Sequence, residues 1–171
     1  LGRIQIGIVY LPTGSSGGKE ERQAIVLKIT NKMKDWKDAL QILVGDFNFV
    51  VNLRDRFSGD PPSFSGDNDK AEAKQFEKSL LSLGLSELYQ PEPTYRNSKD
   101  CRSRLDRVYT NIDTYEWLDR EIGCVALDWE DKHSRHRAIS AFRKSADMKA
   151  PGDIALQSED IGGDDWSKRV K

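Results

Sequence analysis

Apolar and polar positions alternate almost from the start of the chain. Ile4, Ile6 and Ile8 interleave with Gln5, Gly7 and Val9 up to Tyr10, the period-2 pattern of a strand buried mostly on one face. Residues 12–18, opened by Pro12 and rich in glycine, interrupt it. The period then changes across residues 20–40. Ile25, Ile29, Met33, Trp36 and Leu40 fall at steps of three and four, laying one apolar stripe along a helix of about five turns. Residues 41–44 predict a short buried strand that runs into Gly45-Asp46-Phe47-Asn48. A polar residue just past a buried strand sits at the edge of a sheet, where ligands of α/β proteins gather.

Residues 55–69, with Pro61-Pro62 and several Gly, Ser and Asp, predict a loop. Ala73, Phe76, Leu80 and Leu83 restore helical spacing, with Gly84 placed as the C-terminal stop. Thr94-Tyr95 and residues 105–110 predict strands paired around a charged turn, and residues 122–127 and 138–142 predict two more. Past Lys144 periodicity is lost and Gly, Asp, Ser and Lys accumulate. The expected organisation is one folded unit over residues 1–144 and a polar, poorly ordered tail over residues 145–171. Strands that alternate with helices and then crowd together define an α/β chain with a mixed sheet.

Composition narrows the function classes. The chain has 171 residues, 37% hydrophobic and 32% charged, which predicts a single domain with a thin core. No run reaches the roughly 18 to 20 apolar residues that span a bilayer, so a membrane-spanning protein is not expected. A net charge of −1 excludes a purely electrostatic nucleic-acid coat but leaves room for a local basic cleft. Lys and Arg outnumber Asp and Glu in residues 94–109 and 130–144, which reads equally as a solvated face or as a basic footprint. With no signal-like segment in the chain and only Cys101 and Cys124, an intracellular location is expected. No protein partner is implied.

Two motifs lead nowhere. Gly14-Ser15-Ser16-Gly17-Gly18-Lys19 imitates a phosphate-binding P-loop, but three residues rather than four separate Gly14 from Gly18, and Glu20 stands where a hydroxyl is needed. Cys101, Cys124, His133 and His136 include zinc-ligand types without the tight pairing of structural zinc sites, and both cysteines read as small buried hydrophobes.

Asp46 and Asn48 lie two apart, so in extended chain both side chains face one way. A carboxylate and an amide there can hold a metal-bound water or a phosphate, or can simply close a strand-ending Asx turn. Asp106 lies between apolar residues in Ser103-Arg104-Leu105-Asp106-Arg107-Val108-Tyr109, where its charge needs a partner. Ser134-Arg135-His136 leads into another apolar run, and Asp106 is the natural group to orient His136.

Together, Val9-Tyr10-Leu11-Pro12, Gly45-Asp46-Phe47-Asn48, Thr94-Tyr95 with the 103–109 segment, and Ser134-Arg135-His136 resemble the endonuclease/exonuclease/phosphatase superfamily, nearest in look to apurinic and LINE-type retroelement endonucleases. The resemblance implies a DNase I-like sandwich of mixed β-sheets flanked by helices. It implies a Mg²⁺-dependent phosphodiesterase acting on nucleic acid, DNA before RNA. Asp46 would activate or position the attacking water, Asn48 would orient it with the phosphate, and Tyr10 would hydrogen-bond a phosphate oxygen. His136 would stabilise the transition state, and Asp106 would hold His136 in its working tautomer. Asn48, Arg104 and Arg135 would contact substrate.

Three departures accompany the resemblance. The asparagine and glutamate strands that family members carry upstream of the Tyr10 strand have no counterpart, so the N-terminal third is expected to be missing and no metal ligand is assigned. Arg135 replaces the family's aspartate, marking either a decayed site or a direct phosphate clamp. Thr13 stands where apurinic-type members carry asparagine. Little or no catalysis is expected. The competing expectation is a non-catalytic phosphate-binding or nucleic-acid-binding remnant of a retroelement endonuclease.

Overall fold

The computed structural model describes residues 3–14, 18–34, 38–58, 63–64, 70–119, 121–130 and 134–143. Trp36, Pro61-Pro62, His133 and the expected tail over residues 145–171 lie outside them. A β-α-β unit opens the chain: β1 (Ile4–Tyr10), α1 (Gly18–Met33) and β2 (Leu40–Asp46). The strands β1 and β2 pair in parallel from Ile4 opposite Leu40 to Tyr10 opposite Asp46. β8 (Asp106–Thr110) joins the far side of β2 antiparallel, and β5 (Ser86–Glu87) joins β8, completing a mixed sheet in the order β1-β2-β8-β5.

Two helices cover one face of this sheet. Val26 and Met33 of α1 pack with Ala73, Phe76 and Leu80 of α2 (Lys70–Leu81) over Val9, Leu43 and Tyr109. Phe47, just past β2, is fully buried between Phe76 and Tyr109, at ring separations of 5.2 and 5.3 Å. Gly84, at φ +69°, ends the α2 segment as its sequence position predicts. The opposite face meets the antiparallel pair β9 (Ile122–Ala126) and β10 (Ile139–Arg143), preceded by the short helix α3 (Thr114–Asp119). Val108 and Leu88 bury against Cys124 there.

A third sheet, in the order β4-β3-β7-β6, stands beside the sheet end: β3 (Arg56–Ser58), β4 (Ser63–Phe64), β6 (Tyr95–Arg96) and β7 (Arg102–Ser103). Among the described residues no helix is long and apolar enough to cross a membrane.

Several expectations need correction. The loop expected over residues 55–69 contains β3 and β4, because Phe57 and Ser58 gain partners on β4, and Arg56 and Phe57 gain partners on β7. Tyr95 pairs with Ser103 rather than with the 105–110 strand, which β2 and β5 claim from either side. The first helix stops at Met33, and Leu40 instead opens β2, donating its N–H to Arg3 O at 2.9 Å. The alternation in β1 is present with the faces exchanged. Ile4, Ile6 and Ile8 are 59%, 60% and 84% exposed, whereas Gly7 and Val9 face the helices. Gly7 takes that side because an added Cβ would lie 2.9 Å from Leu43 Cδ1.

Beneath the site lies a buried ion network. Asp55 accepts from Arg104 Nε at 2.8 Å and from Arg107 Nη2 at 3.4 Å, and Arg104 Nη1 also pairs with Glu87. Asp55, Arg104 and Arg107 are each at most 2% exposed. Burial pushes the Asp55 carboxyl upward, but the guanidiniums of Arg104 and Arg107 override it and hold the pKa below the ordinary value.

Candidate active site

Strand register builds the site. Tyr10 lies opposite Asp46 across the parallel pair, and Asp46 opposite Asp106 across the antiparallel pair, so one sheet end carries all three side chains. Gly45 permits this close approach: its φ is +148°, and a Cβ there would lie 1.9 Å from Val9 O. Past the ladder, Leu11 N–H donates to Asp46 O at 2.9 Å, and Phe47 N–H to Leu105 O at 3.0 Å.

Asn48 adopts φ +51°, in the left-handed region that asparagine tolerates better than most residues. Its backbone N–H donates to Asp46 Oδ1 at 2.9 Å, while its Nδ2 donates to Asp46 Oδ2 at 2.9 Å and to Leu11 O at 2.6 Å. The pair closes an Asx turn that clamps the Asp46 carboxylate. Both amide hydrogens are used, so Asn48 offers the cleft its Oδ1 acceptor.

His136 arrives from a distant segment. Its backbone bridges to Tyr95, its ring lies 4.9 Å from the Tyr95 ring, and the flanking Arg137 N–H donates to Thr94 O at 2.7 Å. The hydroxyl of Thr94 accepts from the backbone N–H groups of Leu105 and Asp106 at 3.1 and 2.9 Å, fixing the start of β8. His136 Nδ1 thereby sits 2.9 Å from Asp106 Oδ2, and Nε2 sits 3.8 Å from Asp46 Oδ2. The bond to Asp106 raises the His136 pKa against the opposing effect of burial, and the charges of Asp106 and Asp46 add to the rise. Burial also raises the pKa of Asp46, with repulsion from Asp106 in support, against the lowering effects of Asn48 and His136.

These groups open onto a cleft of about 550 Å³ lined by Tyr10, Asp46, Asn48 and His136, and also by Arg56, Asn97 and Ser103. The expected Tyr10, Asp46, Asn48, Asp106 and His136 are thus brought together. Arg104 is not with them. It is 2% exposed and committed to Asp55 and Glu87 within the ion network, so the expectation that it contacts substrate is corrected. Arg135 is exposed, its carbonyl accepts from Arg96 N–H at 2.9 Å, and it is not among the described residues that line the cleft. Cys124 is buried, its thiol pushed up to about 11, whereas Cys101 is half-buried at the cleft wall. The carbonyls of Pro12 and Gly14 accept from Arg22 Nη1 at 3.0 and 3.1 Å, so a guanidinium meets the start of the glycine-rich segment, of which residues 15–17 lie outside the described residues. Arg56 was missed because its strand reads as loop. Its sequence signal is the run Arg54-Asp55-Arg56-Phe57, in which a buried acid follows an exposed base and precedes half-buried positions.

Asp46, Asp106 and His136 each offer one ligand atom, all within 4.8 Å of one another. Two carboxylates form a donor set suited to a hard divalent cation, and a cation would relieve the repulsion that helps to raise Asp46.

No protein-family model matches the chain, and no curated protein matches it. Solved structures do. The chain is similar to a 3'-5' exonuclease (NExo) from Neisseria meningitidis, with 17% identity and a TM-score of 0.59 over 83% of this chain and 62% of that one. It is similar to an AP endonuclease from Archaeoglobus fulgidus, with 16% identity and a TM-score of 0.60 over the same shares of the two chains. A further match, at 17% identity and a TM-score of 0.60 over those shares again, is a second NExo structure from Neisseria, a 3' phosphatase bound to a product DNA hairpin. The chain spans about 62% of the length of these structures. Its fold is the DNase I-like α/β fold of these structures.

Proposed function

We propose that the cleft is a phosphodiester site of nuclease type for nucleic acid, DNA before RNA, working with a divalent cation such as Mg²⁺. The observation that carries this reading is the convergence of Asp46, Asn48, Asp106 and His136 on one sheet end. Asp46, clamped by Asn48, accepts the proton of an attacking water. His136, held by Asp106 through Nδ1, turns Nε2 and its positive charge toward the phosphoryl oxygens, where negative charge grows during attack. Tyr10, 72% exposed at the rim, donates its hydroxyl to a phosphate oxygen. Asp46 and Asp106 would hold the cation, which when bound supplies charge neutralisation at the phosphoryl group.

The same reading assigns the 171-residue chain by itself little or no turnover. Mg²⁺ favours an octahedron of oxygens, and among the described residues this cluster offers it two carboxylates, Asp46 and Asp106, beside the imidazole of His136. Arg135 adds a cation beside His136 where the resembled motif has a ligand. The lean toward apurinic or retroelement endonucleases rests on the resemblance of the 103–109 segment and the Tyr10-Leu11-Pro12 turn. Plasmid nicking in Mg²⁺ tests the reading: trace or no nicking is expected. Strong Mg²⁺-dependent nicking that disappears in Asp46→Ala would overturn the low-turnover assignment while supporting the site. Wild-type DNA affinity in His136→Ala, with no nicking in either protein, would overturn the site itself.

A further inference from the structure

Tyr10 and Thr13 bring one wall of the cleft from the segment between β1 and α1. Leu11 ties that segment to the sheet end, donating its N–H to Asp46 O at 2.9 Å and accepting from Asn48 Nδ2 at 2.6 Å. Beyond Leu11 the support comes from a helix. The carbonyls of Pro12 and Gly14, on either side of Thr13, both accept from Arg22 Nη1 of α1, at 3.0 and 3.1 Å. Gly18 lets α1 start this close, because a Cβ there would lie 2.9 Å from Thr13 O and 3.4 Å from Arg22 Nη1.

Arg22 is itself held rigidly. It is 5% exposed, and its Nε and Nη2 donate to Oε1 and Oε2 of Glu72 on α2 at 2.6 and 2.8 Å, with Glu72 only 3% exposed. A guanidinium is planar, so this two-pronged bond to Glu72 fixes the direction in which Nη1 points. Burying such a pair is a poor way to gain stability, since apolar side chains of similar volume often serve as well or better. Two apolar side chains would offer the carbonyls of Pro12 and Gly14 no donor. None of the described residues lining the cleft belongs to α1 or α2, so Arg22 acts on it only through the chain it holds.

We propose that Arg22, braced by Glu72, is a positioning residue for the cleft: it sets where Tyr10 and Thr13 stand relative to the Asp46–His136 cluster. The start of the glycine-rich segment thereby serves as a clamped wall of the site. The placing of this wall is independent of any ligand. What Tyr10 then meets rests on the phosphodiester reading.

The test uses the intact chain in EDTA and compares the wild type with Arg22→Met/Glu72→Leu and with Arg22→Lys. The double variant replaces the buried pair by apolar side chains, so its thermal midpoint should match or exceed that of the wild type. The amide signals of Leu11, Thr13 and Gly14 should nonetheless move, and binding of a short oligonucleotide in low salt should weaken about fivefold, as loss of one hydrogen bond does. Arg22→Lys, which keeps the charge but not the fork, should fall between the two, and it alone carries the comparison if the double variant does not fold. Tyr10→Phe should weaken binding in the wild type and add little in the double variant, a non-additivity that loss of stability alone does not produce. Unmoved amide signals in a folded variant would overturn the proposal, and so would additive effects of Tyr10→Phe. Full affinity in Tyr10→Phe alone, with the loop signals shifted in the double variant, would overturn the role given to Tyr10 in the phosphodiester reading and leave the clamp standing.

Discussion

Asp106 Oδ2 lies 2.9 Å from His136 Nδ1 across 30 residues of sequence. The contact has two anchors: Thr94 fixes the start of β8, and the Tyr95–His136 bridge delivers the ring. This hydrogen bond orients the imidazole, favours the tautomer with hydrogen on Nδ1 and raises the pKa of the ring.

That bond governs how His136 titrates. Its folded pKa is raised, so the imidazolium persists above the pH at which a free histidine would lose it, and the stabilisation fades as pH rises through the folded value. Ring NMR signals followed against pH should show this elevated midpoint, and Asp106→Asn should lower it. An unchanged midpoint in the variant would mean that the bond does not form in solution.

Asp55 should be the most costly polar residue to truncate. Asp55→Ala leaves Glu87 as the one described acid for both Arg104 and Arg107, at 3.9 Å from the latter, whose Nη2 keeps the carbonyls of Phe49 and Arg104, and should cost about 3–5 kcal/mol in denaturant unfolding. Loss of below about 1 kcal/mol would contradict the network, since roughly that much is typical of an exposed pair.

The same carboxylate sets an acid limit. Because the folded pKa of Asp55 is depressed, its contribution is full above the ordinary value near 3.8 and is lost as pH falls through the folded value. Unfolding free energy measured from about pH 5 down to about pH 2 should fall more gently in Asp55→Asn than in the wild type. Parallel curves would contradict this.

Gly45→Ala should unfold the sheet end. The new Cβ would lie 1.9 Å from backbone oxygen, and φ +148° suits no L-residue, so neither a rotamer change nor a small shift relieves it. Cooperative unfolding should be lost or its midpoint lowered by many degrees. Gly84→Ala meets no atom within 4 Å and should cost only about 1 kcal/mol, from its positive φ.

The candidate site was legible where sequence fixes local geometry. Gly45-Asp46-Phe47-Asn48 marks a strand end, and the buried charge of Asp106 demands a partner, which proves to be His136. What sequence left hidden depends on tertiary pairing. The dipeptide strands β6 and β7 are too short to carry a period, so the wall bearing Arg56 and Ser103 reads as loop. Arg104 looks like a surface cation because Asp55 and Glu87, 49 and 17 residues away, become neighbours only in the fold. The faces of β1 were exchanged because isoleucine periodicity locates an apolar face without saying which side the helices take.

The central claim is that the groups around His136 receive a nucleotide phosphate. The chain has two histidines, so the ring signals of His136 can be assigned by comparison with His133→Gln. Titration with a short oligonucleotide in low salt should shift the His136 ring signals in step with saturation, and added salt should reverse the shift. Saturable oligonucleotide binding that leaves His136 unmoved would place nucleic acid elsewhere on the molecule and contradict the account.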